Sequence, residues 1–114
     1  MIDVVAIGEL LIDFTCKKVD SDGFPTMEAH PGGAPANFLA ALSKFGAKTA
    51  LLGKVGTDAF GKLLINTLES KGINANGIIQ DDNVFTTLAF VTLSESGDRE
   101  FRRDIYQSCF CEDD

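Results

Sequence analysis

Two short segments carry residues that could bind a polar ligand. In one, Gly32 and Gly33 are followed by Pro35 and Asn37 at the start of an apolar helical pattern. Adjacent glycines let the backbone turn tightly and let a ligand approach closely, proline fits the first turn of a helix, and an asparagine amide can donate and accept hydrogen bonds. In the other, Asp13 follows the first predicted strand, where ligands collect in open α/β sheets. Together they suit a neutral, polyhydroxylated ligand such as a sugar.

The charged groups of this region also have simpler interpretations. A carboxylate at the end of a strand, such as Asp13, is often a solvated surface group, although it can accept hydrogen bonds from two vicinal hydroxyls. Glu9 is interpreted as structural, and His30, the single histidine, as a loop residue rather than a base. The sequence contains no recognisable Ser–His–Asp, Cys–His or paired-carboxylate arrangement, so nucleophilic and glycosidase chemistry have little support.

A second group of glycines, Gly53, Gly56 and Gly61, raises the alternative of a phosphate-binding loop. The segment lacks G-x-G-x-x-G, and Gly61-Lys62 is not followed by Ser or Thr, so it fails both standard templates. A structural loop between a strand and a helix is favoured, with Asp58 as the N-cap of that helix.

Composition excludes several other classes of function. The formal net charge of −7 argues against nucleic acid and anionic membranes as partners. No apolar run is long enough to span a membrane, and the N-terminus lacks a basic signal segment, so we expect a cytoplasmic protein. Three cysteines do not form a disulfide framework. Cys109 and Cys111 form only a weak C-x-C metal signal, which Cys16 and His30 would have to complete.

The order of predicted elements indicates a parallel sheet with right-handed crossovers and helices beside it. Two extended pairs, near residues 10–29 and 86–104, interrupt this order. The predicted elements are a strand at Asp3–Gly8, an extended segment at Leu10–Thr15, a polar turn at Lys17–Gly23, an edge strand at Pro25–Ala29, a helix at Pro35–Phe45 ended by Gly46, a strand at Thr49–Leu52, a helix from Asp58 to about Lys71 ended by Gly72, a strand at Ile78-Ile79, an extended segment at Thr86–Leu93, a turn at Ser94–Asp98 and a return strand from Glu100.

Apolar spacing predicts which face of each helix is buried. In the first helix the predicted stripe is Phe38, Leu42 and Phe45, widened by Leu39 and Ala41. In the second helix it is Phe60, Leu64 and Leu68, with Leu63 beside them.

Several motifs in this order resemble the N-terminal part of a ribokinase/PfkB-type sugar kinase, with fructokinase-like members the most similar. The resemblance runs from about residue 2 to residue 101. Its motifs are Gly8-Glu9-Leu10-Leu11-Ile12-Asp13, Gly32-Gly33-Ala34-Pro35-Ala36-Asn37, Gly46, and Gly53-Lys54-Val55-Gly56-Thr57-Asp58-Ala59-Phe60-Gly61.

The resemblance implies a ribokinase-like fold in which residues 1–101 form part of a sugar-kinase domain. Segments near 10–29 and 86–101 would build a β-lid over the sugar, and a homodimer through the lid strands is expected. The implied activity is phosphoryl transfer from ATP, assisted by Mg²⁺, to a primary hydroxyl of fructose or a related sugar. Carried over by position, Asp13, Gly32, Gly33 and Asn37 would contact the sugar.

Three departures limit what the resemblance implies. Leu39 stands where the family usually has a small residue. The family's Gly-Ala-Gly-Asp-like motif, which carries its catalytic aspartate and anion hole, has no counterpart here. Residues 102–114 form an atypical acidic tail, so no role is assigned to Arg102 and Arg103.

We therefore assign no catalytic residue and expect this chain alone to bind neither ATP nor Mg²⁺ and to lack kinase activity. The leading interpretation is that the chain is the sugar-recognising part of a kinase, and two alternative interpretations remain. One is a non-catalytic sugar- or partner-binding module. The other is a truncated product without independent function.

Overall fold

The computed structural model describes residues 1–93 and 99–100. Its elements, in chain order, are β1 (Val4–Ile7), β2 (Leu11–Val19), β3 (Pro25–Gly32), α1 (Ala34–Lys44), β4 (Thr49–Gly56), α2 (Ala59–Ser70), β5 (Ile73–Asn74), β6 (Ile78–Asp81), β7 (Thr87–Leu93) and β8 (Arg99–Glu100). They form two sheets with two helices, so the predicted α/β class with a parallel sheet and flanking helices is confirmed. No described helix is long and apolar enough to cross a membrane.

The parallel sheet is built around β4. Strand β1 pairs with it on one side, from Val4 opposite Thr49 to Ile7 opposite Leu52. On the other side β5 pairs with the beginning of β4 and β6 with its end, also in parallel. Because the crossovers β1–α1–β4 and β4–α2–β5 move across the sheet in the same direction, right-handed connections place both helices on one face.

The core lies between that face and the two helices. Side chains pointing toward the helices from β4, including Leu51 and Val55, are fully buried, and they meet Leu39 of α1 and Leu64 of α2. Helix α2 begins at its predicted N-cap and buries its predicted stripe through Leu64 and Leu68.

The opposite face of the parallel sheet carries no helix of the described chain. Four aliphatic side chains point from it and are 39–68% exposed: Val5, Ile7, Leu52 and Ile79. We call this surface the open face. Parallel sheets are ordinarily covered on both faces, so the open face is an exposed hydrophobic surface of a kind that is usually buried.

The second, small sheet has the strand order β3-β2-β7-β8. Strands β2 and β3 are antiparallel, β2 and β7 are parallel, and β7 and β8 are antiparallel. Phe14 of β2 stacks on Phe90 of β7 and makes an edge contact with Phe60 of α2, with ring centroids 5.2 and 5.4 Å apart. Through this apolar face the small sheet rests on the core.

Three details differ from the sequence-based predictions. In α1, Phe38 and Phe45 are 56% and 89% exposed, so the prediction that they are buried is wrong, whereas Leu39 is buried as predicted. Helix α1 presents Leu39, together with Ala36 and Ala40, to the core, because that is the side of the helix that the sheet covers. Strand β2 continues through Lys17–Val19, which was predicted as a turn, because β3 pairs with it as far as Pro25. Strand β5 was missed. The predicted turn at Ser94–Asp98 and the tail at 102–114 lie outside the described residues.

Candidate functional site

The carboxylate of Asp13 lies against the bare backbone of Gly32. Asp13 sits in β2, where its antiparallel partner in β3 is His30 and its parallel partner in β7 is Ala89. A Cβ placed on Gly32 would collide with Asp13 Oδ2 and would lie 3.1 Å from Leu11 Cδ1. Glycine at this position is therefore what allows the carboxylate to occupy its place.

The Asp13 side chain is half-buried. Among the described residues, no hydrogen bond or ion pair joins its carboxylate to another group. The carboxylate is thus sheltered by the small sheet yet keeps its acceptor oxygens available. That combination suits a ligand with hydroxyl groups to donate.

Gly33 and Asn37 continue from this point into α1. Gly33 is the residue that caps the helix, with φ of +118°, and its carbonyl accepts the backbone N–H of Asn37 at 3.1 Å. The Asn37 side chain is exposed and borders a groove shared with Ala40 and Lys44. The structure therefore brings Asp13 and Gly32 into contact, whereas Asn37 lies one helical turn away and bonds neither of them through its amide among the described residues.

His30 lies in strand β3 rather than in the loop that was predicted for it. Its Nε2 lies 2.7 Å from Glu28 Oε1, and Lys17 Nζ lies 3.6 Å from the same oxygen. These groups are about half exposed. Because His30 pairs with Asp13 and alternate residues of a strand share a face, His30, Glu28 and Asp13 lie on the same side of the small sheet, and they make this part of it polar.

The glycine-rich segment at 53–61 ends in a hydrogen-bonded junction centred on Asp58. Asp58 Oδ1 accepts the N–H of Gly61 at 2.8 Å and the hydroxyl of Thr86 at 2.7 Å, and Oδ2 accepts the N–H of Thr86 at 3.0 Å. The Thr86 hydroxyl oxygen in turn accepts the N–H of Gly56 at 3.1 Å. Burial alone would raise the pKa of Asp58, but these hydrogen bonds outweigh it and hold the pKa below its ordinary value of 3.8.

This junction has no place for a phosphate group. The N–H groups of Gly56 and Gly61, which a phosphate would need, are already bound by Thr86 and Asp58. The carboxylate of Asp58 also places negative charge at the N-terminus of α2, where an anion would otherwise bind. Within residues 1–93 and 99–100, no three His, Cys, Asp or Glu side chains converge to hold a metal ion. The amides of Gly56 and Gly61 are therefore not available to a phosphate group in this arrangement.

Comparison with known proteins then decides the family. The model of the pfkB family carbohydrate kinases matches residues 1–106. The chain belongs to this family. Fructokinase-2 of Oryza sativa subsp. japonica is 46% identical over 103 residues, which cover 86% of this chain and 30% of that protein. The chain spans about a third of the length of the curated relatives it matches.

Two solved structures of sugar kinases show the same arrangement. The fructokinase from Xylella fastidiosa superposes with a TM-score of 0.80 at 31% identity, covering 91% of this chain and 33% of that one. A sugar kinase from Pyrococcus horikoshii in complex with ATP gives a TM-score of 0.74 at 37% identity, covering 90% of this chain and 35% of that one. The predicted ribokinase-like fold is therefore confirmed for the described part of the chain.

Proposed function

We propose that this chain provides the sugar-recognition part of a fructokinase-like, ATP-dependent sugar kinase. The overall reaction would transfer a phosphoryl group from ATP to a primary hydroxyl of fructose or a related sugar. The observation that carries the proposal is the Asp13 carboxylate, which is sheltered against Gly32 and has no partner among the described residues. The pfkB-type fold around it supports the same substrate class.

Each proposed contact follows from the chemistry of its residue. Asp13 would accept hydrogen bonds from sugar hydroxyls that do not react, since a carboxylate has acceptor capacity for two neighbouring hydroxyls. Gly32 and Gly33 would let the sugar lie directly on the backbone. Asn37 would donate and accept hydrogen bonds from the first turn of α1. The small sheet would act as the lid over the sugar.

Phosphoryl transfer is not assigned to the described residues. ATP and Mg²⁺ belong to the proposed overall reaction, but the amides at Gly56 and Gly61 are occupied and no metal ligands converge among the described residues. We therefore propose that the 114-residue chain binds a sugar without phosphorylating it. Sugar-dependent release of ADP by the purified chain would contradict this.

Asp13→Asn is the direct test of the sugar site. The substitution removes the charge but keeps the shape, so fructose binding measured by calorimetry should weaken by about tenfold, the effect of losing charge-assisted hydrogen bonds. Ribose and 2-keto-3-deoxygluconate, titrated in parallel, would rank the substrate class.

Asp22→Asn provides the matched control. Asp22 is exposed in the turn between β2 and β3, so its substitution removes the same charge from the same hairpin and should leave fructose affinity unchanged. Equal affinities for the wild-type chain and Asp13→Asn would exclude Asp13 as a sugar ligand. A folded wild-type chain that gives no heat with any of the three sugars would count against the proposal as a whole.

The proposal includes pairing of two copies through the small sheet. An apolar groove of about 560 Å³ lies on this sheet beyond its contact with α2, and its lining includes Val19, Pro25, Met27 and Phe90. Val19 is 60% exposed, so a second copy could bury it. Val19→Glu should shift a dimer toward monomer in sedimentation velocity because it places a charge in the contact. A sedimentation coefficient that is the same for both chains would contradict pairing through this groove.

A further inference from the structure

The junction of Asp58 with Thr86 joins the two sheets of the molecule. Asp58 belongs to the loop between β4 and α2, in the parallel-sheet part. Thr86 is 1% exposed and directly precedes β7, a strand of the small sheet. Three hydrogen bonds from Gly61 and Thr86 end on the one carboxylate, at 2.7–3.0 Å. The start of β7 is thus bonded to the N-terminus of α2.

The three segments meet at van der Waals distance. A Cβ on Gly56 would lie 2.5 Å from the carbonyl oxygen of Val84, 2.7 Å from Asp58 Oδ2 and 3.0 Å from the nitrogen of Thr86. Any larger residue would separate β4 from the segment that leads into β7. Gly56 and Gly61, two of the glycines that first suggested a phosphate loop, therefore serve close packing of this junction.

Thr86 is connected to the candidate sugar site through a single pair of strands. Strand β7 pairs with β2 in parallel, with Thr87 opposite Leu11 and Ala89 opposite Asp13. Other contacts between the two parts, such as Phe14 on Phe60 and Ile12 of β2 in the core cluster, are apolar. Apolar contacts have little directional preference, whereas hydrogen bonds require defined distances and angles. The bonds of Asp58 therefore fix where β7, and with it β2, lies on the core.

We propose that Asp58 is a positioning residue for the sugar site: it holds Thr86, Thr86 fixes β7, and β7 fixes the position of Asp13. The proposal rests on Asp13 being the sugar ligand proposed above. It gives the Gly53–Gly61 motif a role in orienting the small sheet rather than in binding phosphate.

The test compares Thr86→Val with Thr86→Ser in the full 114-residue chain. Valine keeps the shape of threonine and removes the hydroxyl, whereas serine keeps the hydroxyl. For Thr86→Val we expect about tenfold faster amide exchange in β7, the consequence of losing the hydroxyl's hydrogen bond to the charged carboxylate of Asp58, and about tenfold weaker fructose binding. Thr86→Ser should restore both. Exchange in β1 and in β4 before Gly56, whose own N–H is bonded to the Thr86 hydroxyl, should stay unchanged, which separates positioning from a general loss of stability.

A readout that needs no sugar is the NMR shift of the Asp13 carboxyl carbon. Thr86→Val should move this shift and Thr86→Ser should not. If Thr86→Val does not fold, Asp58→Asn, which keeps one acceptor for the helix cap, replaces it with the same expectations. Unchanged exchange in β7, or faster exchange with an unmoved Asp13 signal, would overturn the proposal. A wild-type chain that binds no sugar would overturn the proposed function instead, while the exchange and the Asp13 signal still decide the role of Asp58.

Discussion

Replacing Gly32 with alanine will weaken fructose binding by about tenfold or more, because hydrogen bonds to a charged group contribute about 1.5–3 kcal/mol. The added Cβ would occupy the place of Asp13 Oδ2 and press on Leu11 Cδ1 at 3.1 Å. The carboxylate must then turn away, and the added methyl group also covers the Gly32 backbone on which the sugar would lie, whereas Gly33 and Asn37 are unchanged. Calorimetric titration with fructose measures the loss, and circular dichroism checks that the variant is folded.

Gly23→Asn is the control for this substitution. Gly23 lies in the turn that joins β2 to β3, has φ of +88°, and no atom of the described residues lies within 4 Å of a Cβ placed there. Asparagine tolerates this backbone conformation better than other residues with a side chain. Fructose affinity should therefore match that of the wild-type chain. If Gly32→Ala folds and binds fructose equally well, Asp13 does not hold the sugar.

Leu39→Ala will destabilise the chain by about 2–5 kcal/mol, the usual cost of removing a buried leucine side chain. Leu39 is 0% exposed and fills the space between α1 and the parallel sheet. Domains have a free energy of unfolding of about 5–15 kcal/mol, so this single change removes a large part of it. Urea unfolding followed by far-UV circular dichroism gives the change directly, from the midpoint at constant slope.

The neighbouring residue offers the matched control. Phe38 is 56% exposed on the same helix, so Phe38→Ala removes a larger side chain from a position with little packing. Its cost should stay within about 0.5 kcal/mol, as for most surface substitutions. A similar loss of stability for Phe38→Ala and Leu39→Ala would mean that Phe38 also packs against the core, as the spacing predicts, and would contradict its observed exposure.

That comparison shows where sequence patterns stop being informative. Hydrophobic spacing predicts the first and last residues of α1 and α2 to within one residue, and the residue type of Asp58 predicts its role as an N-cap. The buried stripe of α1 was not predictable, because spacing treats Phe38 and Leu39 as one apolar face. Which of them is buried depends on the side of the helix that the sheet covers.

In the candidate site, too, sequence motifs predict individual residues, whereas the contacts between those residues depend on the fold. Motifs picked out Asp13 and Gly32, but the contact between them depends on the pairing of β2 with β3, which brings together positions 19 residues apart in the chain. The bonds between Asp58 and Thr86 span 28 residues. No local pattern predicts such a pair, since Thr86 stands in the sequence as an ordinary β-forming residue. The place of His30 in β3 was missed because proline and glycine follow it and favour a loop.

The open face has a consequence for how stable the folded chain will be under different conditions. Val5, Ile7, Leu52 and Ile79 expose aliphatic surface in the native state. A molecule that binds this surface of the folded chain and does not bind the unfolded chain raises the free energy of unfolding by RT ln(1 + [L]/Kd), where [L] is its free concentration. The stability of this chain therefore depends on what its surroundings contain. An apolar ligand or a helical partner bound to the open face would act as a chemical chaperone, because it raises the free energy of unfolding.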